Sequence, residues 1–216
     1  MEKYILFDLD GTLTDSAPGI INSVIYAAKK LGFPEPDAKT LKKFMGPPLA
    51  YSFERFAGLS GERIDEAVRA YREYFADRGI FENSVFPGIP VALDALKGSG
   101  ARLAVATSKP EAFAVRILDR FMLSKYFDAV CGVPLNSSTV TKSEVISRSL
   151  DVLDVRIKSG ALMVGDRSYD VAGAHQNGIK CVGVSYGYGG IEELKEAGAD
   201  FIAISPADMA DKILDI

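Results

Sequence analysis

Four apolar residues, Tyr4-Ile5-Leu6-Phe7, run without interruption and stop at Asp8-Leu9-Asp10-Gly11-Thr12. A short apolar run that ends in a polar, glycine-containing segment predicts a buried strand of a parallel sheet feeding a loop. From Ser16 the period lengthens. Ile20, Ile21, Val24, Ile25 and Ala28 fall on one face of a helix that Asp15 or Ser16 can cap, with Pro18 in its first turn and an end near Gly32. Amphipathic stretches follow over 39–45, 49–56 and 62–78, with no convincing strand before about Phe81. After Pro87-Gly88 the pattern alternates. A helix through Leu93 and Leu96 leads to a strand at 103–106 and a helix through Phe113, Val115 and Leu118, and further strands are expected at 129–131, 161–164, 180–184 and 201–202 with helices between them.

Strand-helix units joined by short loops specify a parallel sheet covered on both faces, because right-handed crossovers place the helices there. The expected fold is therefore α/β: a Rossmann-like parallel-sheet core, discontinuous over 1–15 and 83–216, interrupted by an all-helical domain over 16–82. A chain of 216 residues is long enough for a core domain and one smaller unit. Ligands of such sheets bind beyond the carboxyl ends of the strands. The residues there are Asp8 and Asp10 after the first strand, Thr107 and Ser108 after the second core strand, and Asp166 after Val164-Gly165. Lys142, at the start of another helix, can bring an ammonium to the same edge. Simpler readings exist for each. Asp8 and Asp10 suit a turn, Asp166 suits a cap for a helix from Ser168, and Asp170 suits the surface of that helix. Thr107 and Ser108 suit caps of a helix starting near Glu111, a role compatible with binding phosphate at a helix N-terminus.

Composition narrows the partners. The net charge is −4 and no basic stripe interrupts it, so a polynucleotide is not expected as a partner. Cys131 and Cys181 stand far apart in apolar runs and read as buried thiols in a reducing compartment, not as a disulfide or a zinc site. Neither a secretory leader nor an eighteen-residue apolar run is seen, which predicts a cytoplasmic protein without a membrane partner. His175, the one histidine, falls within a helix and reads as structural. Gly187-Tyr188-Gly189-Gly190 has neither dinucleotide nor P-loop spacing and reads as a flexible loop after a strand.

Taken in order, Asp8-Leu9-Asp10-Gly11-Thr12-Leu13, Thr107-Ser108-Lys109-Pro110, Lys142 and Gly165-Asp166-Arg167-Ser168-Tyr169-Asp170 resemble the four motifs of haloacid dehalogenase superfamily phosphatases. The resemblance spans the chain and implies a phosphoric monoester hydrolase dependent on Mg2+. It assigns Asp8 as the nucleophile that becomes an aspartyl-phosphate and Asp10 as general acid and base. Thr107, Ser108 and Lys142 are assigned to the phosphoryl group. Asp8, the Asp10 carbonyl, Asp166 and Asp170 are assigned to the metal. A phosphomonoester dianion repels an anionic nucleophile, so a cation and nearby ammonium groups serve this chemistry.

The helical domain then resembles a cap that closes over the site, with Asp15–Ala17 and Asn83–Pro87 as hinges and Lys43, before Gly46-Pro47-Pro48, facing substrate, while Lys42 and Lys43 equally suit a solvated helix face. The expected substrate is a small phosphorylated metabolite, most like that of phosphoglycolate phosphatase. The same residues suit a 5'-nucleotidase, pyrophosphatase or sugar-phosphate phosphatase. A phosphomutase and a non-catalytic binding module are alternatives of other classes, and the chain is expected to be a monomer or homodimer.

Overall fold

The structure is a computed structural model that describes residues 3–135 and 140–216. Among these the chain divides into two compact units, one formed by Met1–Thr14 with Val85–Ile216 and the other by Asp15–Ser84.

The larger unit is an α/β layer. Its strands are β1 (Tyr4–Phe7), then, beyond the inserted unit, β4 (Arg102–Pro110), β5 (Ala129–Val133), β6 (Ala161–Gly165), β7 (Lys180–Val184) and β8 (Phe201–Ala203). They form one sheet in the order β5-β4-β1-β6-β7-β8, and every registered pair is parallel. Between and after them lie α5 (Ile89–Gly98), α6 (Glu111–Arg120), α7 (Lys142–Val152), α8 (Ser168–Gln176), α9 (Gly190–Glu196) and α10 (Pro206–Asp215). Leu6, Ala104 and Met163, on three neighbouring strands, are buried in one cluster with Val145, Ile146 and Val171 from α7 and α8. Continuous apolar strands are what a sheet covered on both faces requires, and here Ile5, Leu6 and Phe7 are all fully buried. Strand order reverses at β1, so the ends of β4, β1 and β6 open on the switch point.

The inserted unit is helical: α1 (Ala17–Leu31), α2 (Ala38–Lys42), α3 (Leu49–Ala57) and α4 (Glu62–Asp77), with a short 3-10 turn at Gly79–Phe81. Its α1 presents a face different from the one expected. Gly19, Ile20, Ser23, Val24, Ala27 and Ala28 are buried, whereas Ile21 and Ile25 are only partly covered. Small residues let the backbones approach closely there: a Cβ on Gly19 would lie 2.0 Å from the Gly79 carbonyl oxygen. Gly32 ends the helix in a left-handed conformation, as the sequence predicts.

Two short strands escaped the sequence pattern. β2 (Thr14–Asp15) and β3 (Ser84–Val85) pair as a two-stranded sheet where the chain leaves and re-enters the larger unit. Two residues are too few to show alternation. Among the described residues no helix is long and apolar enough to cross a membrane.

Candidate active site

The first strand delivers the first carboxylate. Phe7 is registered with Val105 of β4 on one side and Val164 of β6 on the other. Asp8 N–H still donates to the Val164 carbonyl at 2.9 Å, so the sheet holds the Asp8 backbone while its side chain leaves the carboxyl edge. The chain then folds back on itself: Leu13 and Thr14 N–H both donate to the Leu9 carbonyl, at 2.9 and 3.0 Å. Gly11 makes the turn at φ +86°, and a Cβ there would lie 2.3 Å from Asp166 Oδ2. Only glycine satisfies both demands.

Asp166 and Asp170 come from the segment joining β6 to α8. Asp166 is fully buried, and each of its oxygens has a donor: Thr12 Oγ1 reaches Oδ1 at 3.2 Å, and the Tyr188 backbone N–H reaches Oδ2 at 2.7 Å. Burial pushes its carboxyl well above the ordinary range, and the neighbouring Asp170 and Asp8 charges push the same way. Asp170, in the first turn of α8, accepts Arg167 N–H at 3.1 Å. Its pKa is likewise raised, by burial first and against the opposing pull of Lys142. Arg167 itself is committed elsewhere, its Nε donating to Glu193 Oε1 at 2.9 Å.

Two buried lysines answer these carboxylates. Lys142 opens α7, whose N-terminus is fixed by a capping box between Thr141 and Glu144. Its Nζ stands 2.9 Å from Asp8 Oδ1 and 2.8 Å from Asp170 Oδ1, with the lysine side chain only 6% exposed. Burial alone would lower its pKa. The two carboxylates outweigh that and raise it, so it stays an ammonium. Lys109, on β4, donates from Nζ to Asp10 Oδ2 at 2.6 Å, and both side chains are largely shielded.

Asp8, Asp166 and Asp170 each place a carboxylate oxygen so that all three lie within 4.8 Å of one another. With all four carboxylates ionised, counting Asp10, and two ammonium groups facing them, the site carries two negative charges in excess. Asp8 Oδ1 is met by the Lys142 ammonium, whereas Asp10 Oδ1 is buried without a hydrogen-bond partner. An all-oxygen set with this excess fits a hard divalent cation, which would offset the burial that raises Asp166 and Asp170 and the repulsion that adds to it. The carboxylate of Asp10 lies outside the group of three and belongs to Lys109, so any share in ion binding falls to its backbone carbonyl.

The remaining assignments divide. β4 does not stop at Ala106 but continues to Pro110, with its pairing to β5 shifted between Ala106 and Pro110. Thr107 and Ser108 are therefore strand residues, not helix caps. Pro110 caps α6 without a side-chain bond, and Thr107 Oγ1 instead accepts Lys109 N–H at 3.2 Å. Thr107 is buried and Ser108 partly exposed. Lys43 belongs to the helical unit, where its ammonium stands 5.7 Å from the centre of the Phe56 ring. The Gly187–Gly190 segment is built into the site instead of being an independent flexible loop. A Cβ on Gly187 would lie 2.3 Å from both Asp166 Cβ and the Gly11 carbonyl oxygen. Cys131 and Cys181 are buried free thiols, and His175 Nε2 lies 2.9 Å from Asp200 Oδ2 near the end of α8.

Lys109 has a place in the site that the sequence pattern does not reveal. Two positions apart on an extended chain, Thr107 and Lys109 share a face, a signal that is hidden when the strand is ended at Ala106.

The family model described as haloacid dehalogenase-like hydrolase matches residues 5–184. The chain belongs to that family. Among its relatives, a protein of Pseudomonas aeruginosa named 5'-nucleotidase is 46% identical over 191 residues, covering 88% of this chain and 86% of that one. The protein of Mycobacterium tuberculosis named tyrosine-protein kinase PtkA is 43% identical, covering 87% of this chain and 63% of its own length. The crystal structure of a predicted phosphatase from Clostridium acetobutylicum is 46% identical, with a TM-score of 0.94 over the whole of both chains.

Proposed function

We propose that this hydrolase is a Mg2+-dependent phosphatase that cleaves small phosphomonoesters through an aspartyl-phosphate on Asp8. The observation that carries the reading is the setting of Asp8. It sits at the switch point of the sheet, grouped with Asp166 and Asp170 and paired to the buried Lys142 at 2.9 Å. Mg2+ held by Asp8, Asp166 and Asp170 would supply charge neutralisation between nucleophile and phosphoryl oxygens.

This chain's own groups then account for the proton and bond changes. An Asp8 carboxylate oxygen attacks phosphorus as the bond from phosphorus to the leaving oxygen breaks, and Asp10, which enters this step as the neutral acid, gives that oxygen its proton. In the second half, Asp10 takes a proton from water as the water attacks phosphorus. The bond between phosphorus and the Asp8 oxygen breaks, and inorganic phosphate leaves. Lys142 holds Asp8 in place and carries positive charge beside the phosphoryl group throughout. Thr107, at the end of β4, offers a hydroxyl to the phosphoryl oxygens.

A nucleoside 5'-monophosphate ranks first among substrates, since the relative named 5'-nucleotidase is 46% identical whereas relatives named phosphoglycolate phosphatase are 35% and 30% identical. Phosphoglycolate ranks second. The similarity to a protein named tyrosine-protein kinase favours one other reading, in which the phosphoryl group passes to an acceptor other than water. Phosphate release separates the two. Release from nucleoside monophosphates or phosphoglycolate that is lost with chelator and with Asp8→Asn supports the phosphatase. No release from any of them by folded, Mg2+-supplied protein overturns it.

A further inference from the structure

We propose that Lys109 is a positioning residue for Asp10: it holds one oxygen of that carboxylate so that the other faces the leaving group and the attacking water. The inference rests on the phosphatase reading and extends it to a residue that reading does not use.

The geometry separates the duties of the two buried ammonium groups. Lys142 is occupied by Asp8 and Asp170, whereas Lys109 reaches Asp10 Oδ2 at 2.6 Å. The lysine side chain is 6% exposed and the Asp10 side chain 16%, so bulk water barely competes for either group. Asp10 Oδ1 is left buried and without a hydrogen-bond partner. Oδ2 is thus fixed by the lysine while Oδ1 keeps an unused acceptor, as a group needs that exchanges a proton with a ligand set against it.

Asp10 needs such a guide because of where it stands. It lies in an irregular turn past β1, and a side chain there has several staggered rotamers open to it. Lys109, by contrast, is anchored in β4, and its own N–H is tied to Thr107 Oγ1 at 3.2 Å. The ion pair transfers the order of the sheet to the loop. Displacing a reacting group by about 1 Å can cost on the order of 100-fold in rate.

The test compares two esters in the presence of Mg2+, using the full chain. One is an alkyl phosphomonoester, whose leaving group needs a proton, and the other is p-nitrophenyl phosphate, whose leaving group hardly does. Because kcat/KM reports steps up to phosphorylation, it isolates the donation by Asp10. Lys109→Met is expected to lower kcat/KM for the alkyl ester roughly 10- to 100-fold. For the aryl ester the loss is expected to stay below about threefold, with Asp10→Asn showing the same ester dependence. Lys109→Arg, which keeps the charge and moves it, restores part of the alkyl activity. In an Asp10→Asn background Lys109→Met adds nothing.

Equal losses on both esters, or a double variant whose losses multiply, would show that Lys109 acts on the phosphoryl group or on the fold and overturn the inference. Should Lys109→Met not fold, the ester ratio of Lys109→Arg decides the matter in the same way. Wild-type protein inactive on both esters refutes the phosphatase reading, whereas active wild type with equal losses refutes this inference alone.

Discussion

Substituting Gly187 by alanine tests whether the loop after β7 is part of the carboxylate site. The added Cβ would lie 2.3 Å from Asp166 Cβ and from the Gly11 carbonyl oxygen, and 2.7 Å from Asp166 Cγ. None of these is the mobile tip of a long side chain, so ordinary contact requires the loop to retreat by more than an ångström. Retreat pulls the Tyr188 N–H from Asp166 Oδ2, where it now donates at 2.7 Å. Overpacking of this kind costs ~1–3 kcal/mol. Loss of a hydrogen bond to a buried charged group costs ~1.5–3 kcal/mol where the carboxylate is ionised.

The two costs share one movement, so they do not add in full. A destabilisation of ~2–3 kcal/mol is expected for the protein in Mg2+, measured by urea unfolding. The ion should also bind about tenfold more weakly, since the Asp166 carboxylate loses the donor that orients it. Calorimetric titration of Mg2+ into wild type and Gly187→Ala reads that directly. A variant with wild-type unfolding midpoint and wild-type Mg2+ affinity would refute the reasoning, because it would show that the loop does not brace Asp166.

Lys142→Met removes the cation shared by Asp8 and Asp170. Breaking a buried pair by deleting one partner costs ~3–5 kcal/mol, so the metal-free variant should unfold at clearly lower urea than wild type, and part of that loss should return with Mg2+. Phosphate release should fall roughly 100- to 1000-fold. The pH dependence has a definite sign. Asp170 is raised from 3.8 to about 6 and Asp166 is raised too, so the metal-free folded state binds protons more tightly than the unfolded chain. The Asp170 part of that contribution is fully present below about pH 4 and is lost as pH rises through about 6. A cation takes the place of those protons. The rise in Tm produced by Mg2+ should therefore be larger at about pH 7.5 than at about pH 5.5, and an equal rise at both would contradict the proposed ligand set.

Much of the larger unit is legible in the sequence because its strands are apolar on both faces and end on polar residues. That pattern alone locates Asp8, Asp10 and Asp166 at strand ends, and the ordered motifs add Lys142. Legibility fails where two signals compete. Thr107-Ser108-Lys109-Pro110 carries the polar and proline marks of a helix start, yet β4 continues through it, and with the strand cut short Lys109 loses its relation to Thr107. In α1 the periodicity counts Ile21 and Ile25 as core, but helix packing through Gly19 and Ser23 rotates the buried face toward small residues. Glycines in the 187–190 segment mark a loop without saying what it touches. The reason for Gly187 lies in the tertiary fold, which sets Asp166 against it and leaves no room for a side chain.

The most direct test of the account is to mix wild-type protein with Mg2+ and a nucleoside 5'-monophosphate, quench in acid within the first turnover, and map any phosphoryl group by peptide mass spectrometry. One phosphoryl group is expected on the peptide containing Asp8, absent in Asp8→Asn and more abundant when Asp10 is replaced by asparagine with an aryl ester as donor. A phosphoryl group on a different residue, or rapid phosphate release from protein never labelled at Asp8, would contradict it.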